Sequence, residues 1–215
     1  RPPSDGPELT EDQSRHAGGP GHFASPRVPH PAIAGTAETI SALRAAVAAA
    51  GGPANVFGFV YELVQERTGW VLPPDFLEAL GKLRTELDLP LIAVETTTHT
   101  YRSGRGPFLS PSTGLIPDVL TWWGGGQTGY VHTSARWFIG KPLTLVSTWD
   151  GDELSLVRQH HQLRAARHID VPALSSAIDQ SMARTLAGHP SFGLGAYRVV
   201  HAGDAAPGLA AQLAE

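Results

Sequence analysis

Few side chains in this sequence could do chemistry, and they are scattered. There are two lysines, Lys82 and Lys141, and no cysteine. A lysine can supply the amine for a Schiff base. The lack of thiols excludes disulfide frameworks, thiolate metal sites and cysteine nucleophiles. His160-His161 with Glu153 and His168 could suggest a metal site. Positions 153 and 160 share a helical face, as do 161 and 168. That two-turn spacing exceeds the i, i+4 pair that chelates zinc, so amphipathic-helix histidines are expected and no metal. Gly124-Gly125-Gly126 has neither the Lys-Ser/Thr of a phosphate loop nor its strand-to-helix context, and reads as a turn. Ser110, Ser112 and Ser134 stand in loops without the Gly-x-Ser-x-Gly elbow of a hydrolase. Glu62 and Glu95, each at or near a strand end, are candidate paired acids. Asp and Glu total 20 against 16 Lys and Arg, for a net charge of −4. That balance opposes a nucleic-acid face, so Trp122-Trp123 reads as core packing rather than a base-stacking platform.

Positioning these residues requires a scaffold, and the hydrophobic pattern sketches one. Apolar residues make up 41% and charged residues 17% of 215, enough for a core. No apolar run approaches the roughly 18 residues of a membrane-spanning helix. The N-terminus, Arg1-Pro2-Pro3-Ser4-Asp5-Gly6, lacks the apolar centre of a signal peptide. Residues 1–35 are rich in Pro, Gly, Ser and His and read as a lead-in, loop or disordered. Thr36 is placed to cap a helix over 37–50, with Ile40, Leu43, Val47 and Ala50 on one face. Gly51-Gly52-Pro53 stops it. The run 56–60 reads as a strand. Pro73-Pro74 opens a helix that buries Phe76, Leu77, Leu80, Leu83 and Leu87 and leaves Lys82 in solvent. Leu91-Ile92-Ala93-Val94, 118–122 and 130–132 read as further strands. The alternation predicts an α/β domain with a mostly parallel sheet. From 151 the chain turns helical, with Leu154, Val157 and His161 on one stripe and Leu156, His160 and Leu163 on the next. Pro172 opens another helix through Leu174, Ile178, Met182 and Leu186. A late strand is expected within 195–202 and a short helix at 209–214.

Three segments carry a resemblance. The first is Tyr61-Glu62-Leu63-Val64-Gln65-Glu66 with the helix from Pro73-Pro74. The second is Leu91-Ile92-Ala93-Val94-Glu95-Thr96-Thr97-Thr98, followed by Tyr101-Arg102-Ser103-Gly104. The third is Pro117-Asp118-Val119-Leu120-Thr121, leading to Ser147-Thr148-Trp149-Asp150-Gly151 and Val157-Arg158. In that order and spacing the chain resembles class III, ornithine/lysine-type, pyridoxal-phosphate aminotransferases, and most closely the lysine 6-aminotransferase branch. The resemblance implies a fold-type-I α/β architecture. Here that is a partial, mostly parallel sheet with flanking helices and part of a small C-terminal α+β domain. The implied division is 1–35 lead-in, 36–150 partial large domain, and 151–215 linking helix with partial small domain.

The resemblance also implies a site, and the sequence departs from it twice. The strand-end Asp that pairs with the cofactor's pyridinium nitrogen falls on Val94. The Schiff-base lysine falls on Gly124. Lys141 lies 17 positions further on, past Tyr130-Val131-His132, and both lysines read as solvated surface residues. Thr148 matches the threonine that holds the cofactor phosphate from a neighbouring subunit. Glu95 and Thr97 fall on positions that organise the cofactor pocket. The family's phosphate loop and ring-stacking aromatic precede the matched region. The expectation is a degenerate, non-catalytic aminotransferase-like protein, binding or scaffolding. It is expected to be cytoplasmic, with no covalent cofactor and only weak pyridoxal phosphate binding. It should pair as a homodimer or with a chain supplying the front half. Two alternatives stand beside this: one half of a split transaminase for lysine or ornithine, and a cofactor-free enzyme reusing the pocket.

Overall fold

The computed structural model describes residues 25–125, 128–142, 144, 152–186 and 188–203. The expected lead-in up to 24, the helix at 209–214 and the Ser147–Thr148–Trp149 stretch lie outside the described residues. Four strands form one sheet in the order β1-β2-β3-β4. They are β1 (Phe59–Glu62), β2 (Leu91–Val94), β3 (Val119–Trp123) and β4 (Gly129–Thr133). β1, β2 and β3 run parallel, and β4 returns antiparallel to β3. This is the mixed α/β architecture with a mostly parallel sheet that the sequence pattern predicts.

β1 and β2 are joined by α3 (Pro74–Leu87). Its Pro at N1 costs nothing, because that N–H has no partner in a helix. Asp75 in the first turn and Arg84 in the last complement the helix dipole. Asp88 ends the helix at φ 47°, and Leu89 N then donates to Arg84 O at 3.1 Å. Phe76, Leu80 and Leu83 are fully buried against Phe59, Tyr61, Leu91 and Ala93 of the sheet. Arg84 also fixes the start of β3. It donates to Ile116 O and to Asp118 Oδ1, both at 2.8 Å, while Asp118 Oδ2 accepts from Leu91 N at 2.9 Å. The Pro117-Asp118 pair thus aligns β3 on β2.

α1 (Pro31–Ala34) and α2 (Thr36–Ala49) extend this layer. α1 is a helical turn inside the stretch read as loop. Thr36 does not cap α2; Gly35 stands at that position, without a side-chain bond. Thr39, Leu43 and Val47 make the buried face. The first strand also starts later than the apolar run 56–60 suggests. Phe59 N meets Pro90 O at 2.8 Å and begins the ladder, whereas Phe57 points outward, 80% exposed. The register with Leu91 sets where pairing can begin.

The opposite face of the sheet is far less covered. Val60, Trp123 and Val131 are 38, 53 and 67% exposed. Beyond β4 lie α4 (Glu153–Ala166), α5 (Val171–Thr185) and a hairpin of β5 (Ser191–Leu194) and β6 (Tyr197–Val200). The sequence reading missed β5. It also misjudged α4: Leu154, Leu156 and Val157 are exposed, and Ser155, Gln159 and Ala166 face inward. The hairpin docks through main chain and through the side chains of Leu194 and Tyr197. Ala196 N donates to Arg102 O at 2.7 Å, and Tyr197 Oη donates to Glu66 O. A β-carbon at Gly69 would sit 2.8 Å from the Phe192 backbone, and one at Gly195 would fall on Arg102 O.

His30 caps α1 through Nδ1, which accepts from Ala32 N at 3.1 Å. Burial pushes this imidazole down to about 4, below the ordinary 6.5 or so of the unfolded chain. Between those values the unfolded state binds the extra proton, so stability falls as pH drops through that window. We expect acidification from pH 7 to 4.5 to cost on the order of 1–3 kcal/mol. His30→Asn keeps a capping acceptor without the proton and should flatten part of the slope. Chemical denaturation at a series of pH values checks this; an unchanged slope in the variant would remove His30 as its source.

Candidate functional site at the C-terminal end of the sheet

The parallel strands end at Glu62, Val94 and Trp123, and crevices at such ends are where α/β sheets place ligands. β2 delivers Glu95 one residue past its last pair. Glu95 N donates to Thr121 O at 2.8 Å, which keeps the residue in line with the sheet. Its carboxylate is fully buried. Oε2 accepts from Thr98 Oγ1 at 2.8 Å and Leu109 N at 2.6 Å. Oε1 accepts from Ser110 N at 2.8 Å and from Ser110 Oγ. Four donors occupy the roughly four acceptor positions of a carboxylate. Glu95 therefore closes the loop from 95 to 110 and has no lone pair left for a ligand or a proton transfer. Thr97 is likewise engaged, donating to Val64 O at 2.9 Å.

The turn after Glu95 is tight. Thr100 and Tyr101 adopt positive φ, 52° and 65°, a conformation that costs non-glycine residues energy unless surrounding bonds hold it. Gly104 N donates to Tyr101 O at 3.0 Å, and Arg102 receives the hairpin's Ala196. His99 is buried within this turn. Burial first, and the nearby Arg102 second, push it down to about 4, so it is neutral at pH 7. Its ring lies 5.0 Å from that of Trp122. Trp122 stacks on Tyr130 at 4.3 Å and donates from Nε1 to His132 Nε2 at 2.8 Å. Trp122 is thus core packing, as the sequence implies, whereas Trp123 is half-exposed.

The structure also places the two departures. Val94 ends β2 opposite Thr121 and offers no carboxylate. Gly124 follows β3 directly. A β-carbon there would fall on Gln159 Oε1 and stand 2.9 Å from Trp122 Cζ3. Gln159, reaching in from α4, therefore occupies the position of that β-carbon and would have to shift for any side chain at 124. Lys82 is a surface residue paired with Glu78 at 2.6 Å, and Lys141 is exposed. Thr148 lies outside the described residues. Among the described residues, the positions where the resemblance puts a Schiff-base amine and a ring-nitrogen partner, Gly124 and Val94, offer neither group, so these residues do not fit pyridoxal phosphate held as a Schiff base. Among the described residues no three His, Asp or Glu side chains could hold a metal, and no helix is long and apolar enough to cross a membrane. Gln159 was not singled out in the sequence, where it reads as one more polar position of an amphipathic helix.

No protein-family model matches the chain, and no curated protein matches it. Solved structures do resemble it. A lysine aminotransferase from M. tuberculosis in the internal aldimine form has a TM-score of 0.68 at 24% identity, over 86% of this chain and 48% of its own. An (S)-enantioselective omega-transaminase from Thermomicrobium roseum gives 0.62 at 21%, over 77% and 40%. An ornithine aminotransferase from Plasmodium yoelii gives 0.62 at 19%, over 75% and 46%. The fold is therefore aminotransferase-like, and the chain spans under half the length of these structures.

Glu95→Gln tests the organising role of the carboxylate. An amide replaces one oxygen with a donor and leaves at least one buried N–H facing it. We expect a loss of about 2–4 kcal/mol of stability, read by denaturant unfolding. A variant as stable as the parent would show that the loop holds without these bonds.

Proposed function

We propose that the chain is a degenerate, non-catalytic relative of class III aminotransferases that binds or scaffolds rather than transaminates. The observation that carries this is the combination at the sheet end. Gly124 stands where the resemblance puts the Schiff-base lysine, and Gln159 fills the space beside it. Val94 replaces the carboxylate expected to face the cofactor ring. One substitution could be a local loss. Two substitutions with an inserted side chain leave neither nucleophile nor electron-sink partner. Pyridoxal phosphate would at most associate weakly and reversibly. In this reading 36–150 is a partial large domain and 151–215 a partial small one.

A partner belongs to the same proposal. Parallel strands are normally buried on both faces. Here Val60, Trp123 and Val131 stand open on one face, and β1 and β4 are the edges of the described sheet. Such a surface favours a second chain laid over it, either another copy or a chain supplying the rest of the sheet. The same observation favours the second reading, one half of a split transaminase for a diamino acid such as lysine or ornithine.

Two outcomes are expected. With pyridoxal phosphate, the purified chain should show no internal aldimine absorbance. It should carry no cofactor on either lysine after borohydride and transaminate neither lysine nor ornithine. A reduced adduct mapped to Lys141 by peptide mass would overturn the non-catalytic reading. In sedimentation, the chain should associate as its concentration rises; a concentration-independent monomer with a cooperative melt would remove the partner from the proposal.

A further inference from the structure

Three buried polar atoms without hydrogen-bond partners lie on segments that meet beside Trp122 and Gly124 at the sheet end: His99 Nε2, Thr128 Oγ1 and Gln159 Nε2. His99 and Gln159 are 3 and 4% exposed. His99 packs on Trp122. Gln159 lies against Gly124 beside the same indole. Thr128 stands one residue ahead of the Gly129–Trp123 pair, across the β3–β4 hairpin. Native proteins rarely leave buried polar groups alone, so a local cluster of them points to a group that pairs with all three.

The chemistry of that group follows from what the cluster offers. Gln159 Nε2 is a donor only, and the Thr128 hydroxyl can donate. Thr100 Oγ1 lies 2.6 Å from His99 Nδ1; with that hydroxyl donating, the neutral ring carries its proton on Nε2. Two guanidinium groups add positive charge. A β-carbon at Gly125 would stand 3.4 Å from Arg158 Nη2, and Arg102 acts on His99. Glu95, the nearest carboxylate along this turn, is saturated by its four donors. Gln159 Oε1 is an acceptor beside Gly124, but it is neutral, and the donors with the positive charge suit an oxygen ligand bearing negative charge. Its size is limited. Trp122 is covered by Tyr130 and by His99, so a flat ring finds no free indole face, and Gln159 blocks the approach at Gly124.

We propose that His99, Thr128 and Gln159 form a binding site for a small oxyanion, of the inorganic phosphate or short carboxylate class, at the C-terminal end of β3. The proposal rests on the reading of this chain as a non-catalytic binding protein and names the ligand class of the same site.

The test uses the full chain with inorganic phosphate and, separately, acetate. Both are titrated in calorimetry and thermal melts against chloride at matched ionic strength. A saturable heat and a raised melting temperature with either anion, absent with chloride, are expected; which anion responds assigns phosphate or carboxylate. Gln159→Leu keeps the bulk and removes the donor. It should melt at or above the parent without ligand and weaken binding by about tenfold or more. Thr128→Val should weaken binding in the same direction and serves if the first variant does not fold. No saturable response in the parent, or undiminished affinity in both variants, would overturn the site. Aldimine absorbance with pyridoxal phosphate reads out the functional reading separately, so the two can fail independently.

Discussion

One buried carboxylate holds the working end of this molecule together. Glu95 leaves β2, keeps its backbone bonded to Thr121, and gathers Thr98, Leu109 and Ser110 around its two oxygens. Hydrogen bonds to a charged group are stronger than neutral ones, and leaving such a charge buried without them is costly. The loop from 95 to 110 therefore cannot open piecemeal. Its tight turn at Thr100 and Tyr101, the burial of His99 and the docking of the C-terminal hairpin on Arg102 all inherit their position from that anchor.

The same anchor is architectural. Glu95 is saturated by its four donors, so its carboxylate holds the loop whatever residues stand at 94 and 124. Trp122 behaves likewise, held by Tyr130, His99 and His132 in an aromatic cluster. Space beside a glycine does not stay empty in a close-packed interior. Gln159 fills it from α4, so the strand end is packed by a helix some 35 positions later in the chain.

Much of the scaffold was legible in the sequence. The helix from Pro74 and the strands β2 and β3 follow their apolar patterns, because those patterns supply the core; β4 pairs beside β3 although its Val131 is exposed. β1 was misplaced because its run of apolar residues begins before the partner strand does; Val56 packs on the core, Phe57 does not, and pairing waits for Pro90. α4 misled for the opposite reason. Its apolar stripe is exposed and its inward face is Ser155, Gln159 and Ala166, so hydrophobic periodicity pointed away from the contact that matters. β5 is short and Gly-containing, with Phe192 and Leu194 only partly buried, and leaves little pattern. At the site, spacing shows which residues stand at 94 and 124. The neighbour that fills the space beside Gly124 could not be read, since one-dimensional order says nothing about which distant side chain reaches a given glycine.

The docking of the β5–β6 hairpin combines close backbone approach with the side chains of Leu194 and Tyr197. Ala196 meets Arg102, and Gly69 and Gly195 permit approaches that any side chain would obstruct. The glycine approaches place few demands on the residues that face them, since those are met through backbone. Substitutions can accumulate at the facing positions without loosening the joint, provided the glycines, Leu194 and Tyr197 remain and no residue is inserted or removed. The tolerance is to spelling and not to length, so over evolutionary time this region should drift in composition while its loop lengths stay fixed.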